Sequence, residues 1–150
     1  MPDPFGIFST IIQLFDRRIR IKVSVVPGFT VGTVVPQFDK GIVITTANVG
    51  MRGTSLGSAY LEFPADRQIA LPLVPNQYRY RSAPDPYEFA PGKPDLIIAV
   101  DGKYIAAALR EEGCSGIIPF RASISGVGGK RYRSKEKLLN TDTGYVSNKP

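Results

Sequence analysis

The chain reads as mainly β, an antiparallel β-sandwich, and three observations predict it. About seven or eight short runs of apolar residues, alternating or β-branched, follow one another with Gly, Pro and Asn signals between them. The 150 residues include 13 Pro and 15 Gly, which suits turns and short strands better than long helices. One internal segment carries convincing helix spacing, too few for a βαβ alternation.

Residues 1–16 stand apart as an apolar N-terminal segment with helical spacing. Phe5 opens it, and Phe8, Ile11, Ile12 and Phe15 share one helical face. The segment is too short to span a bilayer. Asp3 is the only charged side chain ahead of it, so the cationic start of a secretory signal is missing. It reads either as a helix docked on the domain or as an interfacial anchor, with Arg17, Arg18 and Arg20 near lipid headgroups.

From residue 17 the period changes to two. Ile19, Ile21, Val23 and Val25 alternate with Arg20, Lys22 and Ser24, the mark of a half-buried strand. GIVITTANVG follows, apolar on both faces and so a central strand; Asn48 and Gly50 then supply residues that tolerate positive φ. TSLGSAYLEF reads as its partner strand. RQIALPL reads as an edge strand because of Pro72. Residues 74–94, rich in Pro, read as a long loop between sheets, and DLIIAV as a buried strand.

DGKYIAAALREEG is the internal helix, with Asp101 as N-cap and Gly113 just past its end. IIPFRASIS is the next strand, GVGG a turn and KRYRS the closing strand. The domain is expected over residues 17–136, and residues 137–150 as a polar, mobile tail.

Four of these stretches, in this order, resemble a widespread group of uncharacterised bacterial immunoglobulin-like β-sandwich proteins. They are the basic first strand RRIRIKVSV, the turn and strand NVGMRGTSLGSAYLEF, the segment PYEFAPG leading to a strand and the helix IAAALREEG, and the late hairpin GGKRYRS. The resemblance spans residues 17–134. Gly128 stands where the group has Thr or Ser, and a longer loop precedes residue 86. The resemblance implies an immunoglobulin-like sandwich; it implies no reaction, because fold does not give function.

Composition narrows the chemistry. With no histidine, neither a Ser-His-Asp nor a Cys-His site can be built from this chain, nor can a Cys/His zinc site. A lone cysteine, Cys114, allows no intrachain disulfide and points to a reducing, cytoplasmic setting. It follows the helix C-terminus and Glu111 and Glu112, so a small half-buried thiol is expected rather than a nucleophile. SGVGG lacks phosphate-loop spacing and runs into a strand, not a helix. No catalytic residue, cofactor or metal ligand is expected, and the chain is read as non-enzymatic.

Basic surface is the remaining candidate, since the net charge is +6. Arg17, Arg18 and Arg20 come from the first strand, and Lys130, Arg131, Arg133 and Lys135 from the last. Tyr78, Arg79, Tyr80 and Arg81 come from the Pro-rich stretch. Arg and Lys could neutralise phosphates while Tyr78 and Tyr80 stack on bases. Equally, Arg131 and Arg133 could be the solvated face of a strand whose Tyr132 points inward, where cations discourage edge-to-edge pairing. The first expectation is a protein-interaction or scaffolding domain in a larger bacterial or phage-related assembly, with a protein partner or self-assembly. A nucleic-acid-binding accessory module comes second, and a peripheral protein on an anionic membrane through residues 5–15 third. A nucleic-acid role requires the three basic stretches to meet on one face.

Overall fold

Strand β1 (Ile21–Gly28) lies antiparallel to β2 (Gly41–Asn48), with Val23 opposite Thr46 and Val25 opposite Ile44. The period-two pattern places Val23, Val25, Ile42, Ile44 and Thr46 on one buried face. On the other face Val43, Thr45 and Ala47 are half-buried, as the apolar run of β2 predicts for a central strand. A computed structural model describes residues 19–28, 40–71 and 78–149. The apolar segment with Phe5, Phe8, Ile11, Ile12 and Phe15 lies outside the described residues, as do Arg17 and Arg18.

The elements after β2 run in the order β3 (Thr54–Leu56), β4 (Ala59–Phe63), β5 (Arg67–Ala70), β6 (Arg79–Arg81), β7 (Tyr87–Phe89) and β8 (Leu96–Asp101). Helix α1 (Gly102–Glu111), β9 (Ile117–Ser125), β10 (Arg131–Arg133), β11 (Lys137–Asn140) and β12 (Val146–Asn148) follow. All strand pairs described are antiparallel. One sheet has the order β1-β2-β8-β6. The larger one runs β12-β11-β9-β4-β5, with β10 continuing the β11 side of β9, and β3 pairs only with β7. The molecule is therefore mainly β with one helix among the described residues.

Both sheets feed one core. Val25, Ile44 and Ile98 from the first sheet join Leu61, Phe120, Ala122 and Ile124 from the second, and Ile105 and Leu109 come from α1. The helix is built as its sequence dictates. Asp101 Oδ1 accepts from Lys103 N at 3.0 Å. At the far end Cys114 N donates to Leu109 O and Gly113 N to Arg110 O, with Gly113 at φ 84°, a Schellman cap.

Several sequence expectations change. TSLGSAYLEF is not one partner strand of β2. It breaks at Gly57, where a side chain would strike Ser125 Oγ, so β3 and β4 enter different sheets and β8 takes the place beside β2. Residues 74–94 contain two strands, β6 and β7, rather than loop throughout. The polar tail expected from residue 137 is also corrected. Lys137–Asn140 pairs with both β9 and β12, and Leu139 and Val146 enter the core, so the domain runs on to residue 149. β7, β11 and β12 each have one fully buried residue and β6 has none, which is why their strand character is faint in the sequence. Asn48 acts by hydrogen bonding, not by positive φ. Its Oδ1 accepts from Gly50 N, and its Nδ2 donates to Arg52 O and Phe89 O, each at 3.0 Å.

Candidate interaction surface

The closing strand β10 carries the first set of candidate cations. Tyr132 lies opposite Ile124 and is buried, so Arg131 and Arg133 stand on the outer face of the larger sheet. There both are paired with one acidic side chain. Arg131 Nη1 donates to Glu62 Oε1 and to Gln68 Oε1, each at 2.8 Å, and its guanidinium lies 4.0 Å from the Tyr60 ring centroid. Arg133 Nε donates to Glu62 Oε2 at 2.7 Å. Glu62 comes from β4, two strands away from β10, so this cluster ties β10 to β4 across β9.

Partial burial pushes the Glu62 carboxyl upward, but hydrogen bonds from Arg133 and Arg131 outweigh it and leave it below its ordinary value of 4.5. A carboxylate with a depressed folded-state pKa stabilises the fold at neutral pH and loses that contribution as pH falls from about 4.5 through the folded value. Glu62→Gln is therefore expected to cost about 1–2 kcal/mol at pH 7, after allowance for partial exposure. The gap to the native chain should close in acid. Urea unfolding at pH 7 and pH 3 checks it; a gap of equal size at both would contradict the pairing.

The aromatic-basic stretch behaves differently again. Arg79 lies opposite Val100 and Arg81 opposite Ile98, so both arginines are on the core-side face of β6, while Tyr80 lies opposite Ala99 on the outer face. Arg81 is half-buried; its Nη1 donates to Gly57 O at 3.0 Å and its Nε to Ala83 O. It thus links β6 in one sheet to the segment leading into β4 in the other. Tyr78 stacks on Tyr104 of α1 with ring centroids 4.4 Å apart. These side chains are spent largely on internal contacts.

Among the described residues the three basic stretches do not share a face. β1, which carries Lys22 and follows Arg20, and β6 form opposite edges of the first sheet. Arg131 and Arg133 lie on the outer face of the second. Lys135 is exposed after β10, and Lys130 is exposed with its Nζ 5.1 Å from the Tyr132 ring centroid.

What the fold does gather is a loop end that sequence reading missed. The β2–β3 loop, the β7–β8 loop and the turn 126–130 meet at one end. Val49 N donates to Arg20 O at 2.9 Å, Asn48 reaches Phe89 O, and β3 contacts the turn after β9. Three apolar side chains point out from this end: Val49 is 59% exposed, Met51 74% and Val127 68%. Arg20, Arg52, Lys93 and Lys130 are exposed around them. Lys93 donates to Glu88 O, whereas among the described residues Arg20 and Arg52 have no side-chain ion pair. The signal was legible in NVGMRG, where Val49 and Met51 stand in a turn segment with no strand face to serve.

Other chemistry is sparse. Cys114 is half-buried, and Arg67 Nη1 lies 2.9 Å from its Sγ. That cation, supplied by β5 from far away in the chain, was not foreseen. Among the described residues no group of three or more acidic or thiol side chains is placed to hold a metal ion. No helix there is long and apolar enough to cross a membrane. Comparison with family models, with curated proteins and with solved structures finds no match for this chain.

Proposed function

We propose that this chain is a non-enzymatic interaction domain, an immunoglobulin-like sandwich that contributes its loop end to a larger bacterial or phage-related assembly. The observation that carries the reading is the set of exposed apolar side chains Val49 and Met51 on the β2–β3 loop and Val127 on the turn that contacts β3, with exposed Arg20, Arg52 and Lys130 on the same segments or bonded to them. Scattered exposed apolar residues need no explanation, but Val49 and Met51 on one loop, with Val127 on a turn that contacts the strand this loop leads into, suit a contact surface. The partner that fits is a protein surface with an apolar centre and acidic rim, because apolar burial supplies affinity and complementary charge sets orientation.

A polyanion-binding role has less support. Arg131 and Arg133 share the single carboxylate of Glu62, and Arg79 and Arg81 face the core side of an opposite edge. Tyr78 is occupied by Tyr104.

The test is a paired substitution at exposed positions, Met51→Asp with Val127→Asp. Both side chains are solvent-facing, so folding stability should stay within about 0.5–1 kcal/mol of the native chain. In cells of its source, the tagged native chain should elute as part of a larger complex and the variant as a monomer. A variant that still co-elutes with the complex would overturn the reading.

A further inference from the structure

A second surface lies at the side of the molecule, where the larger sheet ends in β5. This strand pairs with β4 alone, so among the described residues its other edge has no strand partner. Arg67 lies opposite Phe63 and Ile69 opposite Leu61, so Arg67 and Ile69 are on the core-side face. Facing them across a gap is the C-terminal half of α1. The gap is a groove of about 370 Å³, large enough for one or two side chains. Phe63, Ile69, Ala108 and Leu109 give it an apolar floor, and Arg67, Gln68, Glu111 and Glu112 line the rest of it. Neither glutamate has an ion-pair partner among the described residues, whereas Arg67 is engaged with Cys114.

An open edge strand beside a helix across an apolar groove is the geometry that accepts an extended peptide. The strand edge supplies backbone hydrogen bonds, the groove takes alternate side chains, and the helix walls the far side. A strand of four residues offers an edge of about 13 Å, enough for a short segment. The two unpaired carboxylates outnumber the one lining cation, Arg67, which is turned to Cys114, so the groove favours a cationic occupant.

We infer that the β5–α1 groove takes an extended peptide segment of a partner protein as an added strand. Its apolar side chain sits over Phe63, Ile69 and Leu109, and a lysine or arginine meets Glu111 and Glu112. This site is separate from the loop end, and its failure would leave the loop-end reading standing.

The experiment titrates the full chain with two blocked pentapeptides, one alternating valine with lysine and one alternating valine with glutamate. Amide chemical shifts and hydrogen exchange are the readouts. The lysine peptide should shift and protect amides of Gln68, Ile69 and Ala70 and shift those of Ala108 to Glu112; the glutamate peptide should bind at least about fivefold more weakly. Glu111→Lys with Glu112→Lys sits on an exposed last helical turn, where cations suit the helix dipole, so this variant should fold. It should reverse the preference between the two peptides. No binding, shifts mapping elsewhere, or a preference unchanged by the charge reversal would overturn the inference.

Discussion

Phe120→Ala is expected to destabilise the protein by about 3–5 kcal/mol. Phe120 sits on β9, whose neighbours are β4 on one edge and β10 and β11 on the other. It is 2% exposed, and its ring packs 6.0 Å from that of Phe63. Truncation removes the transfer free energy of a ring and leaves a cavity where strands on both edges are already fixed by register, so little can collapse inward. The midpoint of thermal unfolding should fall by roughly 10 °C. Ile97→Ala is the control: Ile97 is 36% exposed on the outer face of the first sheet, and its loss should cost much less. Thermal and urea unfolding of both variants check the contrast. Equal losses would mean that the shared core does not lie between the two sheets.

Gly102→Ala should be almost as damaging, although alanine is the better helix former by about 1 kcal/mol. Gly102 opens α1, and its N donates to Lys40 O at 2.7 Å. A Cβ there would collide with two backbone oxygens, those of Gly144 and Lys40. Gly144, at φ 80°, is the reciprocal half of the contact, since its own Cβ would come within 2.8 Å of Gly102 C and Lys103 N. Backbone gives way far less easily than a side-chain tip, so the helix start, the entry to β2 and the β11–β12 turn must all shift. A loss of about 3 kcal/mol is expected. A variant as stable as the native chain, or more so, would contradict this glycine-to-glycine approach. The same contact explains why the last two strands belong to the domain: the turn joining them is seated against the start of α1.

The parts of the fold legible in the sequence are those with a strong local period. β1, β2, β8 and β9 alternate or run apolar, and α1 carries both its cap residues, so each is found with its type intact. The N-cap role of Asp101 and the inward direction of Tyr132 follow directly from spacing. Elements of three or four residues are different. β6, β7, β11 and β12 each bury at most one side chain fully, and the strand character of β6, β7 and β11 comes from hydrogen bonding to a neighbour remote in sequence.

The site shows the same division. That Arg131 and Arg133 share a face is a matter of period. That Glu62 lies beneath both depends on β4 pairing with β9, and no local pattern reveals it. Arg79 and Arg81 looked like loop cations because β6 was not recognised; once it pairs with β8, parity turns both toward the core side. Val49 and Met51 on the β2–β3 loop are linked to Val127 only through β3, which contacts the turn 127–129, a contact between segments remote in sequence.

The proposed contact lies at the loop end and not on the paired arginine face. The most direct measurement is site-specific photo-crosslinking in cells of the source, with the photoreactive residue placed at Met51, at Val127, at Gln68 or at Arg133 in separate chains. The account predicts one protein adduct common to the first two positions, lost on Arg52→Glu, and that adduct missing from Arg133 and Gln68. Adducts to nucleic acid at Arg133, or the same protein captured with equal yield from the sheet face as from the loop end, would contradict it.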